Sequence, residues 1–171
     1  NAIIPHFWRS GMWGGIYAVL FSISTLLSYE NPIKNGFSES ITESYIKHSL
    51  SAVEFQNKIV GQEVQYSFYE KKKFGPLQRG RSISLTDEGG LWLGYGFIRK
   101  VELNHDLYFN FDFFPGFYVK NNEEDLGGWI MFRSGIELEY SINTDWKISL
   151  GYDHRSSGDI WKYNPGMETM K

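Results

Sequence analysis

The stretch Trp146-Lys-Ile-Ser-Leu-Gly-Tyr-Asp-His-Arg-Ser156 decides the fold class, because it alternates between two kinds of side chain. Successive residues of a β-strand point to opposite faces. One face would carry Trp146, Ile148, Leu150, Tyr152, His154 and Ser156. The other would carry Lys147, Ser149, Gly151, Asp153 and Arg155. The stretch therefore predicts a strand with a mostly apolar face and a face of small and charged residues.

The same period-two alternation recurs upstream, and turn-forming Gly, Pro, Asn and Asp residues separate the segments. The predicted strands are 48–57, 60–72, 76–86, 90–100, 104–119, 127–142, 145–156 and 166 onward. The pattern is weakest in the first and third of these segments. Several segments exceed the usual strand length of soluble proteins. They are long enough to cross a bilayer as tilted strands, which takes about 9–11 residues.

Composition and charge narrow the class of protein. Aromatic residues make up 18% of the chain, and 18 Gly against 5 Pro favour many strands joined by tight turns. The absence of Cys excludes disulfides and cysteine metal sites. The four histidines are far apart and match no metal-binding spacing, so we expect no metal and no cofactor. A net charge of −3 gives no basic excess, so nucleic acid is not an expected partner.

Two all-β architectures give strands with one apolar face. A transmembrane barrel directs the apolar side chains to lipid and the polar ones inside, whereas a soluble lipocalin-like barrel does the reverse. The strand lengths, the rows of aromatic residues and an apolar N-terminal segment favour the membrane barrel. In that case Arg133, Glu137 and Glu139 would form a charge network inside the barrel.

The chain before the strands divides into two segments. Residues 16–27 are apolar without strict alternation and are short for a membrane-spanning helix. Residues 1–29 are therefore predicted to be a signal peptide or leader, with a membrane anchor or a core element as alternatives. Residues 30–47 are expected to be a polar lead-in, and residues 48–171 the barrel domain.

His154, Ser156 and Glu168 form the candidate reactive group. His154 and Ser156 are two residues apart and share the apolar face, so in a membrane barrel both would point towards lipid. Polar side chains are costly there unless they have a role. An antiparallel return strand could bring Glu168 beside His154, which would assemble a nucleophile, a base and an orienting carboxylate. Alternatively, the two polar residues simply mark the membrane boundary.

Three stretches carry a resemblance to a known family. Asp125-Leu-Gly-Gly-Trp-Ile-Met-Phe-Arg-Ser-Gly-Ile-Glu-Leu-Glu-Tyr140 resembles the penultimate strands of the PagL family of lipid A 3-O-deacylases. Asp153-His-Arg-Ser-Ser157 is similar to its H-x-S-N active-site strand, and Tyr163-Asn-Pro-Gly-Met-Glu-Thr169 to its N-P-G-x-E-T return. The resemblance is specific over 125–171 and moderate over about 60–124. It implies an eight-stranded antiparallel up-and-down barrel in the bacterial outer membrane.

The resemblance also implies roles for single residues. His154 matches the family's base, Ser156 its nucleophile and Glu168 the acid that orients the base. Ser157 stands where the family usually has Asn, and Ser157 with Gly158 would then stabilise the oxyanion. The implied reaction is hydrolysis of the ester-linked 3-position acyl chain of lipid A, with lipopolysaccharide of the outer leaflet as the partner. The rival interpretations are a non-enzymatic structural or adhesin-type barrel, an apolar-ligand carrier and an inactive, divergent family member.

Strand length gives one further expectation, concerning the end of the chain. Only residues 166–171 remain for the eighth strand, fewer than a spanning strand requires. We therefore expect the last strand to be truncated and the sequence to be a fragment that lacks roughly five to ten C-terminal residues, by the same strand-length estimate.

Overall fold

The computed structural model describes residue 16, residues 19–27 and residues 38–171. Residues 19–26 are helical, and no helix within the described ranges is long and apolar enough to cross a membrane. The leader expected over 1–29 falls mostly outside the described residues and stays a prediction. Of the lead-in expected over 30–47, residues 38–47 are described, and 39–41 and 45–47 among them are strand.

Nine strands lie within residues 38–171, and the antiparallel register between neighbours makes them a closed barrel. The strands are β1 (Glu39–Ile41), β2 (Tyr45–Phe55), β3 (Lys58–Phe74), β4 (Leu77–Thr86), β5 (Leu91–Glu102), β6 (Leu107–Val119), β7 (Ile130–Ser141), β8 (Lys147–Ser156) and β9 (Met167–Met170). From β2 to β9 each strand pairs with the next, and β9 also pairs with β2. β1 pairs with the far end of β3, so it continues the path of β2. The predicted eight-stranded antiparallel barrel is confirmed.

The two faces of each strand are those that the alternation predicted. Along β8, Ile148 and Leu150 are exposed on the outside, whereas Asp153 and Arg155 are buried inside. Along β3, Tyr66 is exposed and its neighbours in sequence are buried. An exposed apolar wall around a buried polar interior is the arrangement of a membrane barrel. The soluble lipocalin-like alternative, which requires the opposite orientation, is therefore wrong.

A network of ion pairs fills the middle of the barrel. Arg133 Nη2 lies 2.7 Å from Glu63 Oε1 and 2.6 Å from Asp153 Oδ2. Arg155 pairs with the second oxygen of Glu63, and Lys171 Nζ lies 2.8 Å from Asp153 Oδ2. Because buried charge is costly unless it is paired and hydrogen-bonded, this pairing is what lets charged side chains occupy the interior. It also holds β3, β7 and β8 together across the barrel.

A second group of ion pairs lies nearer the other end of the interior. Lys47 Nζ lies 2.8 Å from Glu137 Oε2, and Lys100 Nζ lies 2.7 Å from Glu139 Oε1. Asn110 Nδ2 donates to both glutamates. The expectation that Arg133, Glu137 and Glu139 face the interior is confirmed.

The barrel begins three residues earlier than the expected domain boundary at residue 48. Tyr45 starts β2 and stacks on Tyr69, with ring centroids 4.5 Å apart. His48 lies on the outward face between Ile46 and Leu50, which weakens the apolar pattern there. This explains why alternation alone placed the strand's start too late.

The closing strand is short. β9 pairs through Met167–Met170 with β8 and through Thr169 and its two neighbours with β2. Lys171 adds two backbone hydrogen bonds to Gly151. The expectation that further residues follow Lys171 stays a prediction.

The two ends of the barrel differ in loop length. At the end near His154, the connections between strands are 56–57, 87–90, 120–129 and 157–166, and the last two span ten residues each. At the other end, the connections between strands are 75–76, 103–106 and 142–146. Outer-membrane barrels have short periplasmic turns and longer extracellular loops. The loop lengths therefore indicate that His154 lies near the extracellular end.

Candidate active site

The site lies on the outer wall, at the end of β8. His154 and Ser156 point outward, yet they are only 1% and 7% exposed. Beside the site, Gly158 of the connection 157–166 packs on Phe132, the cross-strand partner of Ser156, so closely that a methyl group on its Cα would lie 3.2 Å from the ring. The two polar side chains are therefore shielded, in a wall that is largely apolar.

The imidazole of His154 is held by a carboxylate on the neighbouring strand. The register of β8 and β9 places His154 opposite Glu168, and His154 Nδ1 lies 3.2 Å from Glu168 Oε1. When Nδ1 donates its hydrogen to the carboxylate, Nε2 presents its lone pair. Nε2 is buried and has no hydrogen-bond partner among the described residues. The ring is thus oriented by one nitrogen and left with an unsatisfied acceptor at the other.

The site is wider than the sequence indicated, because two more outward-facing residues share its row. Ser134 on β7 is the cross-strand partner of His154, and Glu54 on β2 is the partner of Glu168. Ser134, His154, Glu168 and Glu54 therefore follow one another across four adjacent strands. One signal for Ser134 was present in the sequence, since it interrupts the outward apolar row between Phe132 and Ile136.

The residues expected to stabilise an oxyanion take different positions. The backbone N–H of Ser157 donates to Asn164 Oδ1 at 2.8 Å. The Ser157 hydroxyl is buried without a hydrogen-bond partner within the described residues. Asn164 Nδ2 in turn donates to Asp159 Oδ1 at 3.0 Å, which clips the 157–166 loop onto the end of β8. Gly158 follows with a φ of 59°, a left-handed conformation that suits glycine.

Loop 120–129 supports the loop beside the site. Gly127 has a φ of 91°, and a Cβ there would lie 1.8 Å from the carbonyl oxygen of Tyr163. The Gly127 N–H donates to Asp125 Oδ1 at 2.8 Å, which lowers the pKa of that carboxyl below its usual value. Gly128 faces Trp161 in the same way. The two long loops are therefore packed against each other beside the site.

Stacked aromatic rings continue the wall beside the site. Phe113 and Phe132 stack with centroids 5.7 Å apart, and Phe117 and Trp129 do so at 5.6 Å. These flat apolar surfaces suit the side of an acyl chain. Within the described residues, no group of three or more His, Cys, Asp or Glu side chains could hold a metal ion. The chemistry that this arrangement supports is acyl transfer by a hydroxyl, an imidazole and a carboxylate.

Comparison with known proteins decides the family. The model of the family described as "Lipid A 3-O-deacylase (PagL)" matches residues 44–171. The chain belongs to this family. The match covers β2 to β9, including β2, where the sequence resemblance had not been recognised.

A solved structure agrees with this assignment at the level of fold. The PagL-family chain resembles the crystal structure described as that of the outer membrane enzyme PagL, with a TM-score of 0.55 and 9% sequence identity. The likeness covers 75% of this chain and 94% of the other. No curated protein matches the chain by sequence. Family membership and the lipid-facing apolar wall together identify a β-barrel of the outer membrane, in a family of ester hydrolases.

Proposed function

We propose that this PagL-family chain is a serine esterase that removes the ester-linked 3-position acyl chain of lipid A, with Ser156, His154 and Glu168 as its catalytic residues. The observation that carries the proposal is the pairing of His154 Nδ1 with Glu168 Oε1 on the lipid-facing wall. A histidine oriented by a carboxylate in that position has an evident use in catalysis and none in holding the barrel together.

The first half of the reaction forms an acyl-enzyme. His154 Nε2 takes the proton of the Ser156 hydroxyl while Oγ attacks the ester carbonyl carbon. The tetrahedral intermediate then expels the sugar oxygen, which takes the proton back from His154. Glu168 holds the imidazole in the required tautomer and stabilises the imidazolium. In the structure His154 Nε2 is not hydrogen-bonded to the Ser156 hydroxyl or to any other described group, so it is free to accept this proton.

The second half releases the fatty acid. Water loses a proton to His154 as its oxygen attacks the acyl carbon, and the bond to Ser156 Oγ breaks with return of that proton. The substrate would be lipopolysaccharide already lying in the outer leaflet against the wall, with its acyl chains along the Phe113 and Phe132 rings.

The inactive, divergent family member is the second candidate. It is favoured by one observation, the use of the Ser157 N–H by Asn164 instead of by an oxyanion. In that case the barrel would fold normally and leave lipid A intact.

The test is expression in a Gram-negative host whose lipid A carries an ester-linked 3-position chain, followed by mass spectrometry of the lipid A. We expect loss of that single chain. Ser156→Ala and His154→Ala should each reduce the rate by about 10⁴-fold or more, and the double variant should be little worse than either. Ser149→Ala, on the interior face of β8, is the matched control. Intact lipid A with a folded wild-type barrel would refute the proposal.

A further inference from the structure

Ser134 is a polar residue on the lipid-facing wall, at a position where the barrel itself does not need one. It is 8% exposed and faces outward between Phe132 and Ile136. A hydroxyl on this face is costly without a partner. Neither a hydrogen bond nor an ion pair to its side chain occurs within the described residues, so packing of the barrel gives no reason for it.

Its place in the register puts it beside the reacting groups. Ser134 lies directly opposite His154, and Ser156 lies opposite Phe132, two residues along. Directly opposed residues on antiparallel strands have Cβ atoms about 4.5–5.5 Å apart, and diagonal ones about 7–8 Å. A carbonyl carbon bonded to Ser156 Oγ can direct its oxygen into the space between these two serines.

The site also lacks one of its expected donors. An esterase needs hydrogen-bond donors aimed at the oxygen that becomes negative in the transition state. The Ser157 N–H is bonded to Asn164, and the Ser157 side chain is fully buried. The Ser134 hydroxyl, directly across from His154 on the outer face of β7, is a group that could supply the donation.

We infer that Ser134 is a further catalytic residue, whose hydroxyl donates a hydrogen bond to the carbonyl oxygen of the scissile ester and stabilises the oxyanion formed on Ser156 attack. The inference rests on the proposed function. It gives the site a side-chain donor from β7, on the opposite side of His154 from Glu168.

Three substitutions of Ser134 distinguish the effect of losing the hydroxyl from the effect of changed packing. Ser134→Ala and Ser134→Val remove the donor, whereas Ser134→Thr keeps it at the same volume as Val. With purified protein and lipid A in mixed micelles, we expect Ala and Val to lower kcat by roughly 10²-fold, the low end for an oxyanion donor. KM should change little, and Thr should recover most of kcat. Ser141→Ala on the interior face of β7 is the control. Equal losses in Thr and Val, or full activity in Ala, would overturn the inference.

A fluorophosphonate probe distinguishes failure of this inference from failure of the proposed function. The adduct site is mapped by peptide mass spectrometry in the wild type and in Ser134→Ala. We expect labelling of Ser156 in both, slower in the variant by about the same factor as kcat. Labelling of Ser156 at an unchanged rate would overturn the role of Ser134 and leave the triad standing. Labelling of Ser134 itself would overturn both assignments, as would a wild type that neither reacts nor deacylates.

Discussion

Arg155 and Glu63 pair inside the barrel, on the reverse side of the strand segment whose outer face carries His154 and Ser156. Arg155 lies between these two residues in the chain, so the ion pair fixes the backbone from which both project. Glu63 also accepts from Arg133. The interior network is therefore coupled to the candidate catalytic groups through the backbone of β8, whose two faces carry them.

Removing the shared carboxylate should destabilise the barrel. Glu63→Ala leaves Arg133 and Arg155 facing each other without their common partner, and breaking a buried pair costs about 3–5 kcal/mol. Urea titration of the protein in lipid vesicles measures the free energy of unfolding. The control is Glu39→Ala. Glu39 pairs with Lys72, and the side chains of Lys72 and Glu39 are 57% and 55% exposed. We expect this substitution to lower the free energy of unfolding by at most about 1 kcal/mol. Equal effects would show that the interior network is dispensable.

A charged side chain on the outer wall should destabilise the barrel, and more so the deeper it lies in the bilayer. Leu150, in the middle of β8, is 76% exposed to the surroundings of the barrel. Leu150→Arg should cost about 2–4 kcal/mol if those surroundings are the bilayer midplane. Ile142→Arg, just beyond the end of β7, should cost about 1 kcal/mol or less. The same vesicle titration compares the two, and a harmless Leu150→Arg would contradict the assignment of this face to lipid.

Contact between the two long loops should matter for activity more than for stability. Gly127→Ala would push the Tyr163 backbone away and so shift the 157–166 loop beside the site, which we expect to lower the deacylation rate by roughly 10–10²-fold. Gly89→Ala is the matched control, because Gly89 also has a positive φ (85°) but its nearest neighbour is 3.7 Å away, an ordinary contact. Because both glycines have a positive φ, both substitutions should destabilise the fold by a similar amount, about 1–2 kcal/mol. Equal rates in the two variants would show that the loop contact does not position the site.

The hydrogen bonds of Asn164 to Ser157 and Asp159, here called the Asn164 clip, should be needed to hold the 157–166 loop in place. Asn164→Ala leaves the buried Ser157 N–H without an acceptor, which costs about 1–3 kcal/mol, and releases Asp159. We expect lower activity and faster proteolysis within 157–166 in detergent. Asn164→Asp keeps the acceptor for Ser157 but places a carboxylate beside Asp159, so it should retain part of the protection. If Asn164→Ala were cut no faster than the wild type, the clip would not be what orders this loop.

Much of the fold could be predicted because it depends on a local pattern. The alternation in 146–156 alone separated Leu150 from Asp153, and repetition of that pattern gave the number of strands. Glu168 could be placed near His154 only by assuming an antiparallel return, which the register of β8 and β9 confirms.

The parts of the site that were missed depend on register instead. Nothing in the sequence near Ser134 or Glu54 indicates which residue of the next strand each one faces, since that is set by loop lengths and by pairing around the whole barrel. The bond from the Ser157 N–H to Asn164 was missed for a similar reason. It spans seven residues of a loop whose path follows no periodic pattern.

The outward direction of His154, Ser156 and Glu168 has a consequence for how turnover must be measured. A site that opens sideways into the membrane meets its substrate by lateral diffusion, so the relevant concentration is the number of lipid A molecules per unit area of leaflet. Diluting lipid A with inert amphiphile at constant bulk concentration should therefore slow the enzyme, whereas diluting the whole suspension with buffer should not change the rate per molecule of protein.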